Sequence, residues 1–293
     1  MKIGVVLPQT EIGNDPAAIK AYAEAVEGMG FTHVLVFDHV LGANPDRPGG
    51  WKGPYTYRHG FHEPFVLFGF LAAATRQLEL VTGIIILPQR QTALVAKQAA
   101  AVDVLSGGRL RLGVAVGWNP VEFEALGEDF ATRGRRIEEQ IEVMRALWTN
   151  DLVTFAGTRH RIPDAGLNPL PVQRPIPVWM GGESEVVQQR TARIADGWMP
   201  HFRPGAAAQA TVDRLHGMIR AAGRDPQAFG IEGRITLSQV PPADWGKELA
   251  AWRGMRGISH LCVHTAGMGL AKPADHVETL RRFRERVGLH PGL

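Results

Sequence analysis

The chain has 293 residues, of which 45% are hydrophobic and 21% charged, with a formal net charge of +3. This is an ordinary globular composition, and no apolar run reaches the roughly 20 residues that a membrane span needs. Basic residues are spread along the chain, which argues against a nucleic-acid partner. The single cysteine, Cys262, allows no internal disulfide and favours a reducing compartment. The opening MKIGVVLPQT runs straight into a strand-like segment without the apolar stretch of a secretion signal, so a cytoplasmic location is expected.

In chain order, Lys2–Leu7 reads as a strand. Ala17–Met29 follows as a helix, with Ile19, Tyr22, Ala23 and Val26 at helical spacing and Gly30 as its stop. Val34–Phe37 is a second strand, Pro64–Thr75 a helix, and Leu78–Leu87 a third strand, apolar on both faces as in a covered parallel sheet. Thr92–Leu105 is a helix closed by Ser106-Gly107-Gly108. Leu110–Val116 is a fourth strand, and Arg133–Trp148 a helix with Ile137, Ile141, Met144 and Trp148 on one face. The second half continues with strands at Val178–Met180, Gly197–Met199, Ile231–Ser238 and Ser259–His264. Helices fall at Glu185–Ala195, Ala206–Ala222, Ala243–Met255 and Pro273–Val287. About eight β-then-α units in this length predict one α/β domain over 1–293, a (β/α)8 TIM barrel with insertions. A doubly wound sheet shows the same alternation.

Three segments break the rhythm. Val40–Glu63 is long, rich in Gly and Pro, and carries Trp51, Tyr55, Tyr57 and Phe61. It follows strand two, on the end of a barrel where active sites lie, and reads either as an active-site loop or as a surface excursion. Asp151–Pro177 holds a hairpin-like Val153–Ile162 around Gly157 and then a Pro-rich stretch, and Ala266–Lys272 is a Gly-containing loop.

The ends of the strands carry the chemistry. The second strand stops in Asp38-His39, an acid beside the side chain whose proton moves most easily near neutral pH. Either it is a helix cap and a wall residue, or the acid orients a working histidine. In "VTGIIILPQRQ", Gly83 interrupts a buried strand, which marks a bulge, a ligand against the backbone, or simple packing. In the fourth strand's exit, Gly117 allows close approach of a planar ligand, Trp118 can stack on it and Asn119 can bond its edge. The alternative is a turn with a buried tryptophan, and Glu122 and Glu124 read as helix-start charges. "VWMGGESE" places Gly181, Gly182 and Ser184 at a helix start, where backbone N–H groups hold an anion or a serine merely caps. His260, Cys262 and His264 share a strand face, but two histidines without further ligands do not define a metal site, and none is expected.

Taken with "VFDHV", three longer stretches complete a pattern: "LVTGIIILPQRQTALVAKQAAAVDVLSGGRLRLGVAVGWNPVEFEALG", "RGRRIEEQIEVMRALW" and "RPIPVWMGGESEVVQQRTARIADGWMP". In this order they resemble the luciferase-like monooxygenase superfamily, in particular its coenzyme F420-dependent oxidoreductases. The resemblance implies a TIM barrel with its insertion at 151–177 and a deazaflavin or flavin lying across the C-terminal mouth. It sets Asp38 and His39 beside the ring and puts Gly83-Ile84 at a bulge behind it, often a non-prolyl cis peptide in this family. Gly117, Trp118 and Asn119 become a wall, and Gly181, Gly182 and Ser184 a phosphate loop. Sugar-phosphate dehydrogenases of that branch carry a catalytic glutamate where this chain has Trp118. Reduction of an unsaturated or carbonyl-type small molecule is therefore expected instead of sugar-phosphate oxidation. The implied catalytic residues are His39 as proton donor or acceptor and Asp38 as its orienting acid or a ring partner. The implied cofactor is F420, with FMN and molecular oxygen as the alternative. A metal hydrolase around His260 and His264 and a non-catalytic flavin-binding protein are more distant readings. A homodimer with no nucleic-acid or membrane partner completes the expectation.

Overall fold

The alternation of β-branched runs and amphipathic helices closes into a parallel barrel. A computed structural model describes residues 1–270 and 272–289; residue 271 of the loop after the last strand, and 290–293, lie outside the described residues. The strands are β1 (Lys2–Val6), β2 (His33–Val36), β3 (Glu79–Thr82), β4 (Ile85–Ile86) and β5 (Leu110–Ala115). They continue with β6 (Val153–Ala156), β7 (Arg161–Ala165), β8 (Val178–Gly181), β9 (Gly197–Met199), β10 (Gly230–Thr236) and β11 (His260–His264). The main sheet has nine strands in the order β3-β2-β1-β11-β10-β9-β8-β5-β4, and β3 also pairs with β5, which closes the ring. Because β3 and β4 are two pieces of one stave, the barrel has eight, as the sequence predicts and as the rule for (β/α)8 folds requires.

The helices form where caps and apolar stripes coincide. In α1 (Pro16–Gly28), Asp15 accepts from Ala17 N, Pro16 sets the first turn, and the buried stripe is Ile19, Tyr22, Ala23 and Val26. Glu63 caps α2 (Pro64–Ala74) through Val66 N, and α3 (Thr92–Ser106) ends on Gly107 at φ 69°, a conformation glycine adopts without penalty. A six-residue helix, α4 (Pro120–Ala125), was not among the expected elements; its one cue is Asn119-Pro120. Next, α5 (Arg133–Thr149) buries Ile137, Ile141, Met144 and Trp148, and α6 (Glu185–Ile194), α7 (Ala206–Ala221), α8 (Trp245–Gly254) and α9 (Pro273–Val287) complete the outer layer. None of the described helices is long and apolar enough to cross a membrane.

One departure from the predicted elements matters for the site. The expected single strand Leu78–Leu87 is broken after Thr82: Gly83-Ile84 is a cis peptide bond, and only the short β4 follows. A Cβ on Gly83 would lie 2.2 Å from the Leu35 side chain, so the break sits where the barrel interior has no room for a larger residue. The segment 151–177 leaves the barrel as an antiparallel hairpin of β6 and β7, tied down where His160 meets Glu139 on α5 (2.8 Å) and Thr92 at the start of α3 (2.6 Å).

Alternation along the staves points one set of side chains into the barrel. Toward its base these are charged: Glu232 on β10 meets Arg111 of β5 and His33 of β2, with Cys262 of β11 also against it. Above lies an apolar layer of Val6, Leu35, Val81, Trp179 and Met199. Above that layer is the mouth.

Candidate active site

At the mouth, small residues on neighbouring staves leave space: Gly83 from the broken strand, Ala115 ending β5 and Gly117 just after it, Gly181 and Gly182 at the end of β8. Together with Phe37, Asp38, His39, Tyr55, Ile84, Ile86, Val116, Trp118, Val187, Met199, His201 and Arg234 they line a cavity of about 380 Å³. That falls within the size range of small-molecule sites, and its wall is mostly apolar with a few polar groups. Gly117 has φ 73°, and a Cβ there would come within 2.4 Å of Ile86, so the chain turns at this point only with glycine.

Asp38 and His39 are adjacent in sequence but face different partners. The buried Asp38 carboxylate accepts from Ile86 N (3.0 Å), just beyond the bulge, and from Arg90 (2.7 Å). Arg90 also reaches Glu63 (2.8 Å), so one guanidinium ties the end of β2 to the end of the Val40–Glu63 loop. Burial pushes the Asp38 carboxyl above its ordinary range, against the pull of Arg90 and the Ile86 amide. The expected role of Asp38 in orienting His39 has no support in this geometry: its oxygens are engaged elsewhere.

The acid at His39 is Glu122. Its carboxylate is fully buried and meets His39 Nδ1 at 3.3 Å through both oxygens, while accepting from Val40 N (2.8 Å) and Leu41 N (3.2 Å). Burial alone would raise this carboxyl; His39 and the two amides outweigh that and hold it below the ordinary range. Glu122 is, as the sequence reading has it, a helix-start charge in the first turn of α4, but its carboxylate also faces inward, to His39 and to the Val40 and Leu41 amides at the start of the loop. No spacing rule connects positions 39 and 122, so the pairing had no local signal. The His39 ring lines the cavity and is packed by Tyr55 and Phe61 (each 4.9 Å between centroids) and by Trp118 (5.6 Å). Its Nε2 has no hydrogen-bond partner among the described residues.

Replacing Glu122 by Ala leaves His39 and two loop amides without an acceptor. The expected cost is about 1–3 kcal/mol, with faster hydrogen exchange at Val40 and Leu41 N–H. Since the folded carboxyl is depressed, its contribution is present above about pH 4.5, the ordinary value, and is lost as pH falls through the folded one. Denaturation curves of both proteins should therefore converge on acidification; unchanged exchange at both amides would refute the contact.

Of the other expected cofactor residues, Gly83, Ile84, Gly117, Trp118, Gly181 and Gly182 all line the cavity. Trp118 stands at the rim, 41% exposed, beside Trp51 of the loop (5.8 Å between centroids). Asn119 and Ser184 do not line it. Buried Asn119 caps α4 through Val121 N (3.0 Å), and exposed Ser184 caps α6 through Val187 N (3.4 Å). Glu183 turns away from the Gly181-Gly182 turn to accept from His201 N (2.6 Å). Besides Glu122, sequence reasoning missed Phe37, Ile86, Met199, His201 and Arg234. For Arg234 a signal existed: Glu232 and Arg234 alternate within a barrel strand and must share its inner face.

Among the described residues, His260 and His264 do not come together with a third ligand. Burial lowers His260 to about 3, helped by Arg111, and His264 to about 4, helped by Arg234, so both imidazoles are neutral near pH 7. Cys262 instead groups with His33 and Glu232, whose ligand atoms lie within 4.8 Å of one another. Arg111 already neutralises that carboxylate inside the closed base of the barrel.

The glycine-walled, mostly apolar mouth, with the His39–Glu122 pair beside it, lies at the end of the barrel where (β/α)8 enzymes carry their active sites. The family model described as luciferase-like monooxygenase matches residues 1–243, and the chain belongs to that family. An uncharacterized protein of Mycobacterium tuberculosis is 40% identical over 206 residues, 68% of either chain. An FMNH2-dependent dimethylsulfone monooxygenase of Pseudomonas putida is 34% identical over 166 residues, 55% of this chain and 46% of that one. Among solved structures, an F420-dependent secondary alcohol dehydrogenase in complex with an F420–acetone adduct superposes with a TM-score of 0.67 at 20% identity, over 97% of this chain and 90% of the other. Membership makes the chain an oxidoreductase of the luciferase-like type.

Proposed function

We propose that this protein is a coenzyme F420-dependent oxidoreductase that reduces a small carbonyl or activated-alkene substrate. The observation that carries this is His39, anchored through Nδ1 by buried Glu122 and presenting the rest of its ring to the cavity. Reduction of such a group needs one hydride and one proton. The deazaflavin supplies the hydride when bound; His39 is the group placed to supply the proton.

The cavity fits the cofactor class. Gly83, Gly117, Gly181 and Gly182 bring backbone, not side chains, to the wall, and Ile84, Ile86 and Val116 give a flat apolar surface for a tricyclic ring. The Gly181-Gly182 turn leads into the first turn of α6, where free amides suit a phosphate. Tyr55, Phe61 and Trp118 pack around His39 and leave its side chain 9% exposed, which strengthens electrostatic effects at the reacting atoms. Asp38, through Arg90 and the Ile86 amide, fixes the bulge against the loop and acts as a positioning residue.

The test is anaerobic oxidation of reduced F420 with a panel of ketones, enones and quinones. Acceptor-dependent oxidation without oxygen is expected. The second reading, an FMN-dependent monooxygenase, is favoured by the similarity to the dimethylsulfone monooxygenase. It requires reduced FMN and oxygen and gives no anaerobic turnover.

A further inference from the structure

We propose that the substrate carries one anionic group, a carboxylate or a group of like charge and shape, and that Arg234 receives it. The inference rests on the cofactor reading above and extends it to the substrate's class.

Arg234 sits on β10, two residues above Glu232 on the same inner face, and lines the cavity. Its guanidinium lies over the Phe37 ring, 5.1 Å from the centroid. Among the described residues it has no hydrogen bond and no carboxylate partner, and its Nε is buried without an acceptor. Three other buried or part-buried arginines are answered: Arg111 by Glu79 and Glu232, Arg90 by Asp38 and Glu63, Arg190 by Glu138. An arginine stays charged in a protein, and a desolvated charge without a partner is costly, so the fold retains here a cation that lacks its counterpart.

Nothing on the cavity wall supplies that counterpart. The one carboxylate there, Asp38, is held by Arg90. Burial, with Arg234 adding to it, keeps both His201 and His264 below the ordinary imidazole value, so neither adds a competing charge near neutrality. Glu232, the acid below, is engaged by Arg111 and His33.

The ring order of the staves sets the direction. Starting at β1, the broken β3–β4 stave is third and β10 is seventh of eight, directly across the barrel. A ring laid on the Gly83-Ile84 wall would therefore turn its open face toward Arg234. A substrate between them would put its anion on Arg234, its apolar part against Phe37 and Tyr55, and its reacting carbon between the ring and His39. Arginine suits this task because its planar fork matches a carboxylate in two parallel bonds.

The test uses paired probes: benzoate, 4-phenylbutyrate and decanoate, each against its neutral amide. They are titrated calorimetrically into the protein alone and into the protein with F420. At least one acid should outbind its amide by roughly 10- to 100-fold, as a charge-assisted contact provides. Arg234→Met should abolish the preference while leaving amide affinity intact, and Arg234→Lys should restore part of it. Acids that bind no better than amides, or a preference that survives in Arg234→Met, would overturn the proposal. So would a loss of F420 affinity in that variant, which would assign the anion to the cofactor. Failure of the cofactor reading shows separately, as absence of F420 and FMN binding by the wild type.

Discussion

Glu232→Gln is expected to lower the unfolding free energy by about 3 kcal/mol, the largest single stability effect anticipated for this chain. The substitution keeps size and shape and removes only charge. Glu232 is buried at the base of the barrel, where it pairs with Arg111, accepts from His33 Nε2 (2.9 Å) and meets the Cys262 thiol (2.7 Å). Losing one partner of a buried pair leaves the other charge desolvated, which is why such breaks cost several times more than surface pairs. The value stays at the lower end because Glu79 still holds Arg111 (3.0 Å). Burial alone would raise the Glu232 carboxyl, but Arg111 and His33 hold it well below the ordinary value of 4.5. A depressed carboxyl contributes its stability above the unfolded value and loses it as pH falls toward the folded one. Urea denaturation at several pH values should show a constant gap between wild type and variant down to about pH 4.5, narrowing below it. Equal stabilities at pH 7 would mean the network carries no net charge pairing.

The second large effect concerns chemistry. His39→Ala should reduce single-turnover oxidation of reduced F420 by about 100- to 10,000-fold with the fastest acceptor of the panel, the range for removing a general acid. Binding of the cofactor should change little, since the backbone glycines and the Ile84–Ile86 surface form that wall. His39 touches Glu122, Tyr55, Phe61 and Trp118, so the variant also loosens the loop; His39→Gln retains bulk and a hydrogen-bonding end and separates packing from proton transfer. A rate within about threefold of wild type in both variants would remove His39 from the proton path.

Much of this architecture was readable from the sequence because the barrel is built from local periodicity. The strand ends at Asp38, Gly117 and Gly181 were placed on one rim by the count of β-then-α units, and the glycines that open the mouth stood out within apolar runs. What stayed hidden came from contacts distant in sequence. Glu122 lies 83 residues from His39, and Arg90 lies 52 from Asp38; no spacing pattern connects either pair. Adjacency misled in the case of Asp38-His39: both line the cavity, but Asp38 is held by Arg90 and the Ile86 amide while His39 meets Glu122. Asn119 and Ser184 show the competing local chemistry: both precede helices, and cap them with the side chains that were expected to reach a ligand. Arg234 was legible through strand alternation, but its lack of a partner emerges only once the surrounding staves are in place.

If this mouth takes a deazaflavin against the Gly83-Ile84 wall, as proposed, cofactor titration will show it. Purified protein, freed of small molecules, would be titrated with F420 and separately with FMN, following quenching of the tryptophan emission to which rim residue Trp118 contributes. Saturable 1:1 binding of F420, at least about tenfold tighter than FMN and competed by it, is the expected result. Tighter binding of FMN would transfer the site to oxygen-dependent chemistry, and binding of neither would rule out a flavin or deazaflavin site here.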